Sequence, residues 1–274
     1  MTDRLTQCLT RLRAEKRTVL CPFITAGYPD MRHLGGMLMA LQNAGAGMVE
    51  LGFPFSDPVA DGPVIQESYR LALEKGADIG GILAEVRGAR KAGFKLPLLA
   101  MISFSILFRY GTPRLAAEAA AAGIDGFILP DVTLEEAPAV IEEIGRHGLA
   151  GCLLVAPTTP PARRRAIGAL CTGFVYYLSV TGITGERTSL PADLSANLLE
   201  LRRLTDRPVC VGFGVSTPQQ VQALSGLADG VIVGSALIRC ITREMAADKP
   251  DVVRAVGELA GALSAPLTAN NNGC

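Results

Sequence analysis

The chain has 274 residues, of which 49% are hydrophobic and 19% are charged. This apolar content is enough to bury a sizeable core, and it excludes a disordered or fibrous protein. Lys and Arg together number 26, as do Asp and Glu, so the net charge is zero and does not favour a nucleic-acid partner.

The amino-terminal segment predicts a helix rather than a targeting signal. Residues Asp3–Lys16 have an amphipathic pattern with scattered basic residues and lack the continuous apolar block of a secretory signal. The most apolar stretch, Leu96–Phe108, is thirteen residues long, which is shorter than the roughly 20 residues that a bilayer requires. The seven cysteines form no C-x-x-C pair, as is typical of reducing compartments. We therefore expect a cytoplasmic protein without a membrane partner.

Eight short apolar, β-branched runs follow the first predicted helix. Each is bounded by Gly, Pro or Asp and is separated from the next by a segment with helical spacing, which predicts alternating strands and helices. A last helix is predicted over Asp251–Leu263. The predicted strands begin near Val19, Met48, Leu98, Phe127, Cys152, Phe174, Val209 and Val231.

A weak internal repeat supports one architecture throughout. Residues 44–50, 122–128 and 226–232 each end a helix with Gly and enter a strand. Eight such units without a Pro- or Ser-rich linker favour an α/β fold, a single (β/α)8 (TIM) barrel with an extra N-terminal helix, over two doubly wound halves. We expect one barrel domain over residues 1–266 and a disordered tail over 267–274.

Acidic residues collect after the second predicted strand, where barrels of this kind place reacting groups. Glu50 ends the run that begins at Met48, and Asp57 and Asp61 lie in the loop over residues 51–63. Burial would raise the pKa of Glu50 and allow it to act as a general acid. The alternative is a structural carboxylate that caps a nearby helix. Neither histidine lies near these acids in sequence and no calcium-loop pattern is present, so no metal site is predicted.

Glycine-rich segments follow the last three predicted strands. Residues 179–189 have the composition of a mobile lid, although a merely flexible loop fits equally well. Gly212–Ser216 and Gly234-Ser235 occupy positions where barrels commonly hold a phosphate with backbone N–H groups. Gly212-x-Gly214 half-matches a dinucleotide fingerprint, but its third glycine is missing and it lies in the seventh unit. A phosphate site is therefore favoured over an NAD site.

Nearly the whole chain, from Pro22-Phe-Ile-Thr-Ala-Gly27 to Gly234-Ser235, resembles the tryptophan synthase α-subunit family. The most diagnostic segments are Glu50-Leu-Gly-Phe-Pro-Phe-Ser-Asp-Pro-Val-Ala-Asp-Gly-Pro63 and Tyr176-Tyr-Leu-Ser-Val-Thr-Gly-Ile-Thr-Gly185. The resemblance implies a carbon–carbon lyase of tryptophan biosynthesis. Its expected reaction is the retro-aldol cleavage of indole-3-glycerol phosphate to indole and glyceraldehyde 3-phosphate.

The resemblance also implies roles for individual residues. Glu50 would be the acid and base, Asp61 would accept the indole N–H, and Tyr176 would line the pocket near the reacting carbon. For the pocket wall, plain core packing is the alternative for each residue. The expected phosphate cradle is Gly185, Gly214, Gly234 and Ser235. The expected indole-pocket wall is Phe23, Ile65, Phe213 and Ile232.

Members of the family pair with a pyridoxal-phosphate β subunit, which takes up the indole. The resemblance therefore implies an α2β2 heterotetramer in which the cofactor belongs to the partner and this chain binds none. Asp57 resembles the interfacial acid of the family. Closure of the lid over residues 180–189 would bring Thr184 toward Asp61 and exclude water.

One position pair departs from the family pattern. After the third strand the family usually has Tyr-x-Asn, with the Tyr beside the indole, whereas this chain has Ser103 and Ser105. The smaller side chains alter the expected pocket shape and partner coupling. Two alternatives stay open: a stand-alone lyase or paralogue of secondary metabolism, and a catalytically weak subunit that activates its partner by contact. The presence of Glu50 and Asp61 argues for catalysis.

Overall fold

Eight parallel strands form a closed barrel in the computed structural model, which describes residues 3–58, 61–179, 190–212 and 214–269. Each strand pairs with the next along the chain, and the eighth pairs with the first. Every strand begins within two residues of its predicted start, so the predicted (β/α)8 barrel is confirmed. The strands are β1 (Val19–Thr25), β2 (Val49–Gly52), β3 (Leu98–Met101), β4 (Gly126–Leu129), β5 (Ala150–Val155), β6 (Val175–Leu178), β7 (Val209–Gly212) and β8 (Gly230–Val233).

Helices follow the strands and cover the outside of the barrel. The extra N-terminal helix α1 (Asp3–Glu15) precedes β1, as predicted, and the final helix α12 (Val252–Ala269) ends the described part of the chain. The prediction of a disordered tail over residues 267–274 is wrong at its start, because residues 267–269 continue this helix and Leu267 packs in the core at 7% exposure. Residues 270–274 lie outside the described residues. The other helices are α2 (Leu34–Asn43), α3 (Pro63–Glu74), α4 (Ile79–Lys91), α5 (Phe104–Tyr110), α6 (Thr112–Ala122), α7 (Ala137–Arg146), α8 (Pro161–Leu170), α9 (Leu194–Leu204), α10 (Pro218–Ala223) and α11 (Ser235–Glu244).

The core lies on both faces of the strands. β2, β3, β4, β7 and β8 are buried along their whole length, because helices cover their outer face and side chains fill the barrel. This explains why the strands are recognisable in the sequence as near-continuous apolar runs. No helix within the described ranges combines the length and the apolarity needed to span a bilayer.

Two of the three repeated segments carry a carboxylate that fixes the amino-terminal end of a neighbouring strand. Asp125, just before β4, accepts a hydrogen bond from the Leu98 N–H at 2.9 Å. Asp229, just before β8, accepts one from the Val209 N–H at 2.8 Å. Each carboxylate also pairs with an arginine. These two segments therefore help to fix the end of the barrel opposite the predicted site.

Candidate active site

β2 carries an acidic side chain into the barrel interior. Glu50 is fully buried at 0% exposure and lies in register with Phe23 on β1 and Leu99 on β3. Neither carboxylate oxygen has a hydrogen-bond partner among the described residues. Burial, reinforced by the charge of Asp61, raises the pKa of Glu50 well above its ordinary value. The raised pKa favours the protonated form, which can donate a proton, and without a hydrogen-bond partner the side chain does not cap a helix.

The loop after β2 places a second carboxyl near the first. The N–H of Asp61 donates to the Pro58 carbonyl at 3.0 Å, and the Gln66 side chain holds the Asp61 carbonyl at 2.8 Å. The next helix, α3, begins at Pro63, whose fixed φ suits a first helical position. Burial, followed by the charge of Asp131, raises the pKa of Asp61 to about 7.

Both carboxyls line a cavity of about 470 Å³ at the carboxyl ends of the strands. Two wall residues, Met101 and Val215, were not expected from the sequence. Their contribution is hard to foresee because nothing in their local sequence separates them from ordinary core residues. The structure brings together nine of the predicted site residues in this wall: Phe23, Glu50, Asp61, Ile65, Tyr176, Gly214, Ile232, Gly234 and Ser235.

The remaining predicted residues lie elsewhere. Asp57 is exposed and lies beside this cavity, in the wall of an adjoining one. Thr184, Gly185 and Phe213 fall outside the described residues, as does the whole predicted lid over residues 180–189. Their roles stay predictions.

Strand glycines make room for aromatic rings in and beside the cavity. A Cβ atom at Gly52 would lie 2.5 Å from Phe23 Cζ and 2.6 Å from the Tyr69 hydroxyl, and one at Gly212 would overlap the Tyr176 hydroxyl. Burial and the nearby carboxylates raise the pKa of both tyrosines well above the ordinary value. Tyr69 was missed from the sequence, although it follows Ile65 by one helical turn on the buried face of α3.

The predicted phosphate cradle lies where two strands end. Gly214 has a φ of 85°, a left-handed conformation that favours glycine. Gly234 and Ser235 begin the ten-residue helix α11, whose amino-terminal N–H groups and dipole favour an anion. A Cβ atom at Gly234 would lie only 3.3 Å from Phe23 Cδ1, so a larger residue would crowd the ring. These features suit a phosphate next to an aromatic pocket.

The position that departs from the family pattern has a structural role. Ser103 begins α5, and its hydroxyl accepts a hydrogen bond from the Ser105 N–H at 3.2 Å. The same hydroxyl donates to Asp131 at 2.6 Å, and the Phe104 N–H donates to the other oxygen of that carboxylate at 2.7 Å. Ser103 therefore links the ends of β3 and β4. Ser105 is exposed.

A second cavity of about 350 Å³ adjoins the first. The two share Asp61 and Met101 as a common wall. Tyr69, Ser103 and Asp131 line the second cavity only. Within the described residues, no group of three or more potential ligands could hold a metal ion.

Comparisons with known proteins agree with this geometry. A family model described as "Tryptophan synthase alpha chain" matches residues 9–265. The tryptophan synthase alpha chain of Chloroflexus aggregans is 44% identical over 88% of this chain and 90% of its own length. That of Acidiphilium cryptum is 40% identical over 97% of both chains.

Solved structures show the same likeness in three dimensions. Tryptophan synthase subunit alpha from Legionella pneumophila str. Paris matches with a TM-score of 0.90 and 34% identity, over 98% of this chain and 100% of that one. A chain of Mycobacterium tuberculosis tryptophan synthase matches with a TM-score of 0.86 and 32% identity, over 97% and 99%. The chain therefore belongs to the tryptophan synthase alpha chain family, whose members are lyases that cleave indole-3-glycerol phosphate in tryptophan biosynthesis.

Proposed function

We propose that Glu50 and Asp61 carry out the retro-aldol cleavage in this chain, with Glu50 as the acid and base. The observation that carries the proposal is the complete burial of Glu50 without a hydrogen-bond partner among the described residues. Removing a carboxyl group from water without a partner is costly. A group held in this way at the wall of a cavity is favourable for proton transfer rather than for scaffolding.

The reaction explains why two carboxyl groups are needed. Protonation of the indole C3 leaves a positive charge on the ring nitrogen. The hydroxyl on the adjoining side-chain carbon then loses its proton, and its oxygen electrons form the aldehyde. The electrons of the broken carbon–carbon bond return to the ring and restore neutral indole. One group must therefore supply and receive protons, while another stabilises the transient cation.

The two pKa shifts indicate which carboxyl group performs which of these tasks. The pKa of Glu50 is raised well above its ordinary value because the side chain is buried and Asp61 is near, which favours the protonated form that can supply a proton to C3. Asp61, with a pKa of about 7, is partly ionised there and can accept the ring N–H as its charge grows. Environments that separate two carboxyls in this way are typical of paired acid and base groups.

The rest of the cavity would orient the substrate. The amino terminus of α11, with Gly234 and Ser235, would hold the phosphate together with Gly214. Phe23, Ile65 and Ile232 would pack against the indole, and Tyr176 would lie beside the reacting carbon. Gly185, Phe213 and Thr184 remain expected contributors from outside the described residues.

Members of this family work with a β subunit, and we propose that this chain does so in an α2β2 complex, with pyridoxal phosphate in the partner. Two exposed residues near the active-site rim support a docking surface there. Asp57 is exposed in the loop after β2. Phe108 is 72% exposed on α5, the helix that begins where the neighbouring strand β3 ends. Aromatic residues are enriched at protein interfaces, and charged residues belong to their rims.

We also infer a single barrel domain that includes α12 through Ala269 and a cytoplasmic location. The six cysteines within the described residues are all free and buried. Unpaired thiols of this kind are typical of proteins in reducing compartments.

Steady-state kinetics of the purified chain test the proposal. We expect slow indole release from indole-3-glycerol phosphate by the chain alone and faster release with a pyridoxal-phosphate β subunit. Robust turnover without a partner would favour a stand-alone lyase instead. Stimulation of the β reaction without any cleavage by the complex would favour an activating subunit. Absence of cleavage under both conditions would overturn the catalytic assignment.

A further inference from the structure

The second cavity lies beside the proposed indole site, and the proposed cleavage uses only its shared wall residue Asp61. It is separated from the main cavity by Asp61 and Met101, the two side chains that line both. The space inside it that the centre of a water-sized group can occupy is about 30 Å³, whereas one water needs about 10–15 Å³. Met101 is an unbranched side chain that can change rotamer at low cost. A small substituent on a bound ring could therefore enter from the main cavity.

Two fixed elements keep this space open. On one side Ser103 presents a short side chain, which is held by its hydrogen bonds to Asp131 and to the Ser105 N–H. On the other side Tyr69 is 3% exposed, and its hydroxyl lies against the backbone at Gly52. Because hydrogen bonds hold the Ser103 wall and the buried Tyr69 ring packs closely against Gly52, the space is a built feature of the site.

The polar part of the wall accepts hydrogen bonds and repels anions. Asp61 and Asp131 supply carboxylate oxygens, and Asp57 adds a third acidic group. The Ser103 hydroxyl already donates to Asp131. A hydroxyl substituent could donate to a carboxylate here, whereas an anionic substituent would meet like charge.

We propose that this cavity is a subsite for a substituent on the benzo ring of the substrate, and that it selects hydrogen-bond donors such as hydroxyl. This inference rests on the proposed function, because Asp61 accepts the ring N–H there. Since Asp61 lies on the wall between the two cavities, the edge of the ring that carries the N–H faces the second one. Position 7 is adjacent to that nitrogen and points into the subsite. Position 4 is adjacent to the reacting edge and points away from it.

The test uses the condensation direction with glyceraldehyde 3-phosphate and indole, 7-hydroxyindole, 4-hydroxyindole or indole-7-carboxylate. The purified full chain is used, and kcat/KM of each ring is divided by that of indole. We expect 7-hydroxyindole to stay within about 5-fold of indole. The 4-isomer and the carboxylate should fall by about 50-fold or more, the range that pocket contacts discriminate. Equal values for the 4- and 7-isomers would overturn the subsite.

Two variants test whether the preference for 7-hydroxyindole depends on the second cavity. Ser103→Tyr fills it and should lower the ratio for 7-hydroxyindole by about 10-fold or more. Ser103→Ala loses the same hydrogen bond to Asp131 but keeps the space, so its ratio should stay within about 3-fold of the parent. An unchanged ratio in the Tyr variant would overturn the proposal. If that variant does not fold, the isomer comparison in the parent chain decides.

The same measurements separate this inference from the proposed function. If unsubstituted indole does not condense at all, the proposed function fails and the subsite fails with it. If indole reacts but 7-hydroxyindole is rejected as strongly as its 4-isomer, the subsite alone fails. Condensation of both indole and 7-hydroxyindole, lost selectively in Ser103→Tyr, supports both.

Discussion

Burial without a hydrogen-bond partner distinguishes Glu50 from the other buried acids in the described part of the chain. Asp125 is 0% exposed and Asp229 is 4% exposed, yet each accepts a main-chain N–H and pairs with an arginine. Those two carboxylates stabilise the fold through these contacts. Glu50 is buried without such contacts, and this costs stability. An unfavourable group of this kind is expected where chemistry requires it.

Glu50→Gln tests that reasoning directly. The amide keeps the shape of the side chain but cannot donate and take back a proton, so cleavage should fall by about 10²- to 10⁴-fold. The thermal unfolding midpoint should be unchanged or higher, because no carboxyl remains buried. Both are measured by indole release and calorimetry at pH 8. Glu67→Gln, at an exposed position on α3, should change neither. Near-parental indole release by Glu50→Gln would refute the role.

The pH dependence of activity depends on Asp61. Its pKa is raised to about 7 by burial and by the charge of Asp131, so the ionised acceptor is lost as the pH falls below that value. We expect kcat/KM to rise with pH through about 7, and Asp61→Asn to lower the activity severely and remove that rise. A pH series of indole release from pH 5 to 9 measures it. An unaltered acid limb in the Asn variant would show that another group titrates.

The same shift predicts how stability changes with pH. The folded pKa of Asp61 is about 7, above its ordinary value of 3.8, so the folded chain binds a proton that the unfolded chain has released. Its contribution to the free energy of unfolding is therefore fully present below pH 3.8 and is lost as the pH rises through about 7. The free energy of unfolding of Asp61→Asn minus that of the parent should therefore be larger at pH 8 than at pH 5. Urea unfolding at both values checks the sign.

At the scale of elements, the barrel is fixed at the amino-terminal ends of its strands. Asp125 holds β3 through the Leu98 N–H and pairs with Arg90 at 2.9 Å and Arg4 at 3.0 Å. Arg90 is itself largely buried and also donates to the Gly123 carbonyl. Deleting one partner of such a network leaves the other charge uncompensated.

Asp125→Ala should therefore lower the free energy of unfolding by about 3–5 kcal/mol. Arg254→Ala is the matched control, because Arg254 pairs with Glu258 at 2.8 Å on the surface with both side chains exposed, and its loss should cost less than about 1 kcal/mol. Urea unfolding of the two variants gives both values. Equal costs would mean that the buried pair does not fix the strand.

The strands could be predicted because the local sequence is enough to identify a parallel strand that is buried on both faces. An apolar run bounded by Gly or Asp is the signal for such a strand. Gly126 and Gly230 each begin a strand and follow an Asp whose side chain accepts a main-chain N–H of the preceding strand. The same holds for Glu50 and Asp61, which belong to one contiguous segment of sequence. Their predicted proximity to one cavity agrees with the structure.

The residues that were missed come from other elements of the barrel. Tyr69 belongs to a helix, Met101 to β3 and Asp131 to the segment after β4. Only the closure of the barrel brings them to one place. The sequence showed only that Ser103 is smaller than the Tyr usual in the family. In the structure its hydroxyl caps α5 and donates a hydrogen bond to Asp131. Ser before a helix is a recognised capping signal, but the contact with Asp131, 28 residues away along the chain, has no local signature.

On the scale of the whole molecule, the residues that stabilise the barrel and the residues proposed to react lie at opposite ends of it. The ionic clamps lie where strands begin, and the cavity with its unpaired carboxyl lies where they end. This division is typical of the fold. The carboxyl-terminal end is therefore the end at which a partner could receive the indole, so docking should involve surface near that rim.

Phe108 is the most exposed large hydrophobic residue in the described part of the chain. Its ring lies 6.1 Å from that of Phe104, whose N–H is held by Asp131, so α5 presents Phe108 from an anchored turn. An aromatic residue placed in this way is typical of an interface hot spot.

Phe108→Ala should weaken binding of the β subunit by about 30-fold, corresponding to about 2 kcal/mol. The free energy of unfolding of the free chain should not fall, because the ring is mostly in water. Leu199, 49% exposed on α9, provides the control: Leu199→Ala should leave the affinity unchanged. Titration of each variant against the β subunit measures the affinities, and an equal effect of the two substitutions would place the interface away from α5.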